Sequence, residues 1–181
     1  MKVDINIWYT DQQTMISNHA EGISTVNFII SLLKRQGMAK HLIVLIKKIL
    51  KKHNYNNRYL GGLSSYAIIL MVDAFLCTYG RFSTIAEAFL GLLRHYGKDM
   101  DYSRYGIAWN SVNMSYVMIE PDSQKPQLVI IDPLDPTCIV TQASYRYDEI
   151  RKCFMQVHDR IRALLEHGTD NILDNIYNAK Y

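Results

Sequence analysis

The sequence is poor in the residues that staple or metallate a small fold. Its three cysteines (Cys77, Cys138 and Cys153) are widely spaced and form no Cys-x-x-Cys pair. A disulfide frame and a structural zinc site are therefore not expected, and the thiols read as reduced ones of an intracellular protein. Six histidines include no His-x-x-x-His pair, which argues against a transition-metal site built by the chain itself. The uncharged apolar run Tyr59–Val72 has 14 residues, two glycines and two serines among them, and is too short to span a bilayer. The start, MKVDINIWY, carries an acid at Asp4 and lacks the apolar stretch of a secretory signal. There is no Gly-x-Gly-x-x-Gly fingerprint and no P-loop spacing. With 49% hydrophobic and 20% charged residues over 181 positions, whole-chain disorder is excluded, and the length suits one domain or one domain plus a fragment.

A further absence is local. From Gly22 to Val72 there are eight Lys/Arg and no Asp or Glu, a charge of +8. The other residues hold 12 of the 20 basic and all 17 acidic side chains, hence −5. Such a split offers one positive region to an anion, phosphate or nucleic acid, unless the lysines merely solvate a helix face.

Periodicity sets out the elements. Val3, Ile5 and Ile7 alternate with polar neighbours over Lys2–Tyr9, the pattern of a lone half-buried strand. Asp11–Glu21 reads as a polar loop. Helices are predicted over Ile23–Gln36, Ala39–His53, Leu63–Tyr79 and Thr84–His95, with Ser83 as candidate cap of the last, and over Ile150–Leu165. The Leu63–Tyr79 helix is apolar almost all round and belongs at the centre of a core. Val112–Ile119 and Leu128–Ile131 are predicted to pair as a hairpin across the turn-rich Glu120–Pro126. The fold class is mostly α (α+β), a helical domain with one small hairpin and one N-terminal strand.

Three local signals point toward phosphate and nucleotide. Lys47 and Lys51, spaced i, i+4, aim two ammonium groups at one place, or else form a solvated face. Gly61-Gly62-Leu63-Ser64-Ser65-Tyr66 puts glycines and hydroxyls at a helix start, where free N–H groups favour an anion, or it is only a tight entry to a buried helix. Asp132-Pro133-Leu134-Asp135 places two carboxylates in a rigid loop after a strand, fit to accept from a base's amine, or it is a plain turn.

Taken in order, Tyr59–Leu76 (YLGGLSSYAIILMVDAFL), Leu92–Gly106 (LLRHYGKDMDYSRYG) and Leu128–Phe154 (LVIIDPLDPTCIVTQASYRYDEIRKCF) resemble one family. It is the terminal nucleotidyltransferases, and within it the DNA-polymerase-sigma-like, nuclear surveillance poly(A) polymerases. The likeness lies with their central, poly(A)-polymerase-associated domain and covers roughly residues 1–165. It implies residues 21–181 as that domain and residues 1–20 as a remnant of the catalytic palm lobe, with Val3-Asp4-Ile5 resembling the strand that bears the third catalytic aspartate.

The resemblance also implies roles. Asp4 would be a catalytic, metal-binding carboxylate. Lys47 and Lys51 would hold the triphosphate, Ser65 a phosphate oxygen, Tyr66 would stack on the base, and Asp132 and Asp135 would recognise it. The ribose-contacting asparagine corresponds to Asn27, or its place is taken by Thr25. The family's Gly-Ser motif is missing, and Asp99-Met100-Asp101 matches its Asp-x-Asp only in letters and lies in the wrong place, so the chain reads as truncated inside the catalytic lobe and inactive alone. The implied activity of the longer enzyme is template-independent AMP addition to RNA 3′ ends from ATP, with Mg²⁺ or Mn²⁺. Uridylyl-transferring relatives place a histidine where this chain has Cys138, which favours ATP over UTP. The implied partners are the RNA 3′ end, a nucleoside triphosphate, a zinc-knuckle RNA-binding protein and an RNA helicase, in the nucleus and not at a membrane. A pseudoenzyme or adaptor that binds RNA or protein, or a uridylyltransferase, is the alternative.

Overall fold

The computed structural model describes the backbone of residues 12–80, 82–110, 114–118 and 127–168, with side chains described from residue 24 onward. The strand expected over Lys2–Tyr9, and Asp4 with it, lies outside the described residues, as does the turn expected at Glu120–Pro126. The chain divides into two compact units, Met1–Arg35 and Gln36–Tyr181. Among the described residues no helix is long and apolar enough to cross a membrane.

Among the described residues the first unit contains one helix, α1 (Gln12–Arg35). It takes in most of the segment Asp11–Glu21 that reads as a loop from its polarity. Polar composition does not forbid a helix when no proline interrupts it. Lys34 and Arg35 in its last turn complement the negative end of the helix dipole.

The second unit is built around α3 (Ser65–Tyr79), where Ala67, Ile68 and an unbroken run from Leu70 to Leu76 are buried. A helix apolar on all sides must be covered on all sides. It packs against α2 (Ala39–Lys52) and against the strands β1 (Tyr105–Trp109) and β2 (Met114–Met118), while α4 (Ile85–Arg94) and α5 (Tyr147–Glu166) pack on one another. α2 buries Leu42, Ile46, Ile49 and Leu50 and leaves its lysine strip exposed, as its period predicts. The cap of α4 is Thr84 and not Ser83: the Thr84 hydroxyl accepts from Glu87 N–H at 3.1 Å, and the Glu87 carboxylate accepts from Ser83 N–H at 2.9 Å. The two bonds satisfy donors reciprocally, as in a capping box.

The sheet differs from the sequence reading. β1 and β2 pair antiparallel, Ile107 opposite Tyr116 and Trp109 opposite Met114. Tyr105–Trp109, for which no strand is predicted, therefore pairs with Met114–Met118. Leu128–Ile131 attaches on the other side through isolated bridges, Ile107 with Ile130 in parallel and Ile131 with Ile139 antiparallel. Gly106 and Ala108 weaken the strand signal of β1, and long-range pairing overrides it.

After α4 the chain makes a π-helical turn over His95–Asp99, closed by Met100 N–H to His95 O at 2.9 Å. At Gly97 a Cβ would come within 2.8 Å of Met155 N, so only glycine lets this turn lie against α5.

Candidate nucleotide site

The two sequence blocks that carry the nucleotide reading meet directly. The Tyr66 hydroxyl, on the first turn of α3, donates to Asp132 Oδ1 at 2.9 Å across 66 positions of sequence. Desolvation first, and then this bond, raise the Tyr66 pKa above its usual value. The phenol therefore stays protonated and acts as a donor.

The Asp132 loop is closed by its own backbone. Asp132 N–H donates to Cys138 O and Cys138 N–H to Asp135 O, both at 2.9 Å, and Val140 N–H donates to Ile130 O at 2.8 Å. Each acid also turns one oxygen inward. Asp132 Oδ1 accepts from Leu134 N–H at 2.9 Å. Asp135 Oδ1 accepts from Thr137 N–H at 3.0 Å and the Thr137 hydroxyl at 2.6 Å, which holds the Asp135 pKa below the usual carboxylate range. These are Asx turns, and the second oxygen of each acid accepts nothing among the described residues. Asp132 is half-buried, and Asp135 and Cys138 are exposed.

The α3 start divides labour between two serines. Ser64 is the cap, its hydroxyl accepting from Ala67 N–H at 3.0 Å, whereas Ser65 is the first helical residue and is exposed. The end of α2 is tied to this start through Tyr55, whose N–H donates to Leu50 O and whose carbonyl accepts from Leu63 N–H, both at 2.8 Å. The Lys51 end of α2 and the Ser65 end of α3 thus share one end of the second unit. Lys47 and Lys51 are exposed and have no ion-pair partner among the described residues. Asn27 is exposed and Thr25 half-exposed on α1, in the first unit.

Gly62 is the pivot of this end. A Cβ there would lie 2.2 Å from Tyr55 O. Gly61 has φ 77°, and its Cβ would lie 2.6 Å from the Tyr145 ring. The glycine pair is therefore required by close approach and by left-handed backbone. Sequence reasoning missed the segment that closes on them: the Ser144 hydroxyl donates to Gly62 O at 3.1 Å, and Arg146 N–H to Gly61 O at 3.1 Å. Arg146 also sits 4.6 Å from the centre of the Tyr55 ring and pairs with Glu149 at 2.6 Å. Nothing in local spacing signals these contacts, because their partners are some 80 positions apart in sequence.

Among the described residues no group of three or more His, Cys, Asp or Glu could hold a metal ion. The donor set on view does not fit a two-metal centre, which needs clustered carboxylates.

No protein-family model matches the chain. It is similar to curated proteins: 28% identical over 160 residues to Poly(A) RNA polymerase cid14 of Schizosaccharomyces pombe (82% of this chain, 23% of that protein). It is 25% identical over 147 residues to Poly(A) RNA polymerase protein 1 of Saccharomyces cerevisiae (74% and 23%). It is 26% identical over 172 residues to the inactive poly(A) RNA polymerase protein Trf4-2 of Drosophila melanogaster (87% and 42%). The chain thus spans less than half the length of these relatives. Among solved structures its fold matches the polymerase core of TRAMP, an RNA surveillance complex, with TM-score 0.73 and 20% identity (86% of this chain, 53% of that one). It also matches the Cid1 poly(U) polymerase with Mg and 3′-dATP bound, at TM-score 0.58 and 17% identity (80% and 57%). The chain is therefore homologous to part of poly(A) RNA polymerases of the Trf4 and Cid14 type, a likeness that supports the terminal nucleotidyltransferase family.

Proposed function

We propose that residues 21–181 act as the nucleotide-binding central domain of an RNA 3′-terminal nucleotidyltransferase that adds AMP from ATP, with residues 1–20 as palm remnant. The observation that carries this reading is the Tyr66–Asp132 bond, which joins the GGLSSY and DPLD blocks into one wall. In the proposed roles, Lys47 and Lys51 neutralise the triphosphate as point charges, with no described carboxylate paired to them. Ser65 donates to a phosphate oxygen at the positive end of α3. The Tyr66 ring stacks on the base. The outward oxygens of Asp132 and Asp135 accept from the adenine amine, directly or through water. Uracil offers only N3–H in return, and Cys138 supplies no strong donor to its O4, so ATP is preferred. Asn27 is proposed for the ribose.

The metal ions, Mg²⁺ or Mn²⁺, and their carboxylates would belong to the catalytic lobe, to which this chain contributes Asp4. By itself the chain should not extend a labelled oligo(A) primer. A nuclear setting, RNA as substrate, and a zinc-knuckle protein and helicase as partners are part of the same proposal, supported by the resemblance to the TRAMP polymerase core. The likeness to Trf4-2, an inactive relative, supports a second reading in which the domain binds RNA or a partner without chemistry.

Equilibrium binding of labelled ATP tests the first reading. Lys47→Ala with Lys51→Ala should weaken binding by about a hundredfold or more, since each charge-assisted phosphate contact is worth about 1.5–3 kcal/mol. Unchanged affinity in the double variant would remove the lysines from the site.

A further inference from the structure

Beside the loop that enters α3 lies an open cleft of about 520 Å³, lined by Arg58, Tyr59, Ala143 and Tyr145. Its two tyrosines are 80% and 74% exposed. Neither hydroxyl bonds to a described residue, and Arg58 has no ion-pair partner among them. Exposed aromatic rings of this size are costly to hydrate, and they contribute little to stability where they stand.

Their backbone is nonetheless fixed. The Asn57 side chain accepts from Tyr59 N–H at 2.9 Å, and Gly62 N–H donates to Asn57 O at 2.9 Å. From the other side, the Arg146 and Ser144 bonds to Gly61 O and Gly62 O clamp the segment that carries Tyr145. The Tyr145 ring lies against Gly61, where a side chain would collide with it. The nearby Glu149 carboxylate is occupied by Arg146 and the Tyr55 hydroxyl. Two rings on clamped loops, beside a guanidinium with no ion-pair partner among the described residues and in a stretch of chain lacking any acid, match what an unpaired nucleobase and its phosphate require.

We propose that this cleft binds single-stranded RNA, one base stacking on Tyr59 and Tyr145 and a backbone phosphate pairing with Arg58. The choice of RNA over a protein segment rests on the nucleotidyltransferase reading. The site itself is separate from the Tyr66–Asp132 wall. Because every base has a π face, the cleft selects for an unstacked base and not for sequence.

The test is fluorescence anisotropy of labelled oligo(A) RNA with the full 181-residue chain, alongside an abasic ribose-phosphate oligomer of equal length. Tyr59→Ala, at a position with no packing to lose, should weaken oligo(A) binding about 5- to 100-fold and leave binding of the abasic oligomer and of ATP unchanged. Tyr145→Phe, which keeps the ring over Gly61, should bind oligo(A) as the wild type does. Arg58→Ala should reduce the slope of log affinity against log salt by about 0.7. The proposal is overturned if the wild-type chain does not bind oligo(A), if Tyr59→Ala binds it normally, or if the abasic oligomer loses as much. The last outcome would point to a charged or protein-binding surface. Loss of ATP binding through Lys47 and Lys51 reports on the nucleotide wall alone, so either site can fail while the other stands.

Discussion

Tyrosines occupy two regions of this molecule under opposite rules. In the core, Tyr147 donates to the Tyr102 hydroxyl at 2.7 Å, Tyr102 to Tyr96 O at 2.6 Å, and Tyr96 to Met71 O at 2.7 Å, with the Tyr116 hydroxyl 3.0 Å away. Burial raises the pKa of all four phenols, so the chain of donors is intact across the physiological range. At the α3 entry the rings of Tyr59 and Tyr145 are exposed, and their hydroxyls bond to no described residue. The core tyrosines are accounted for by stability, because each buried polar atom must find a partner. Those at the rim, mostly exposed, add little burial to the fold, and the RNA proposal gives them a role.

The largest expected effect strikes the frame between the two regions. Gly62→Ala forces a methyl onto Tyr55 O, a backbone atom that cannot rotate away. It should cost about 3 kcal/mol or more, read as a lowered urea midpoint.

Next comes acid. His95 is buried among Phe75, Tyr79, Tyr96 and Tyr116, and burial lowers its pKa from 6.5 to about 4 despite the opposing charge of Asp99. The folded state then refuses a proton that the unfolded state accepts. Stability is complete above pH 6.5 and falls as the pH drops toward 4, by roughly 2.5 kcal/mol at pH 4.5. In His95→Phe the part of the loss between pH 6.5 and 4.5 should disappear, measured by denaturation at several pH values. An equal loss in that variant would assign the acid sensitivity to other groups.

Smaller is Tyr96→Phe, which removes the donor to Met71 O and should cost about 1–3 kcal/mol. Smallest is Tyr59→Phe, expected within about 0.5 kcal/mol of wild type. A stability loss at Tyr59 comparable to that at Tyr96 would erase the distinction between rim and core.

The helices of the second unit were legible because their apolar periods are strong: α2 spans Ala39–Lys52 where Ala39–His53 was predicted, and α3 is central as its uniform apolarity requires. α1 was half legible, since its first turns lack an apolar face. β1 was not, because Gly106 and Ala108 carry little strand preference and its pairing with β2 has no local signal. At the site, the glycines and the loop acids stood out by residue type. The Tyr66–Asp132 contact and the Ser144 and Arg146 clamps depend on distant pairing, which no local pattern encodes.

The nucleotide wall is tested most directly by NMR mapping of ATP titrated into the isotope-labelled 181-residue chain. Amide signals of Lys51, Ser65, Tyr66 and the Asp132–Cys138 loop should move together and saturate along one binding curve. Shifts confined to other elements, or none at millimolar ATP, would contradict a nucleotide site built where Tyr66 meets Asp132.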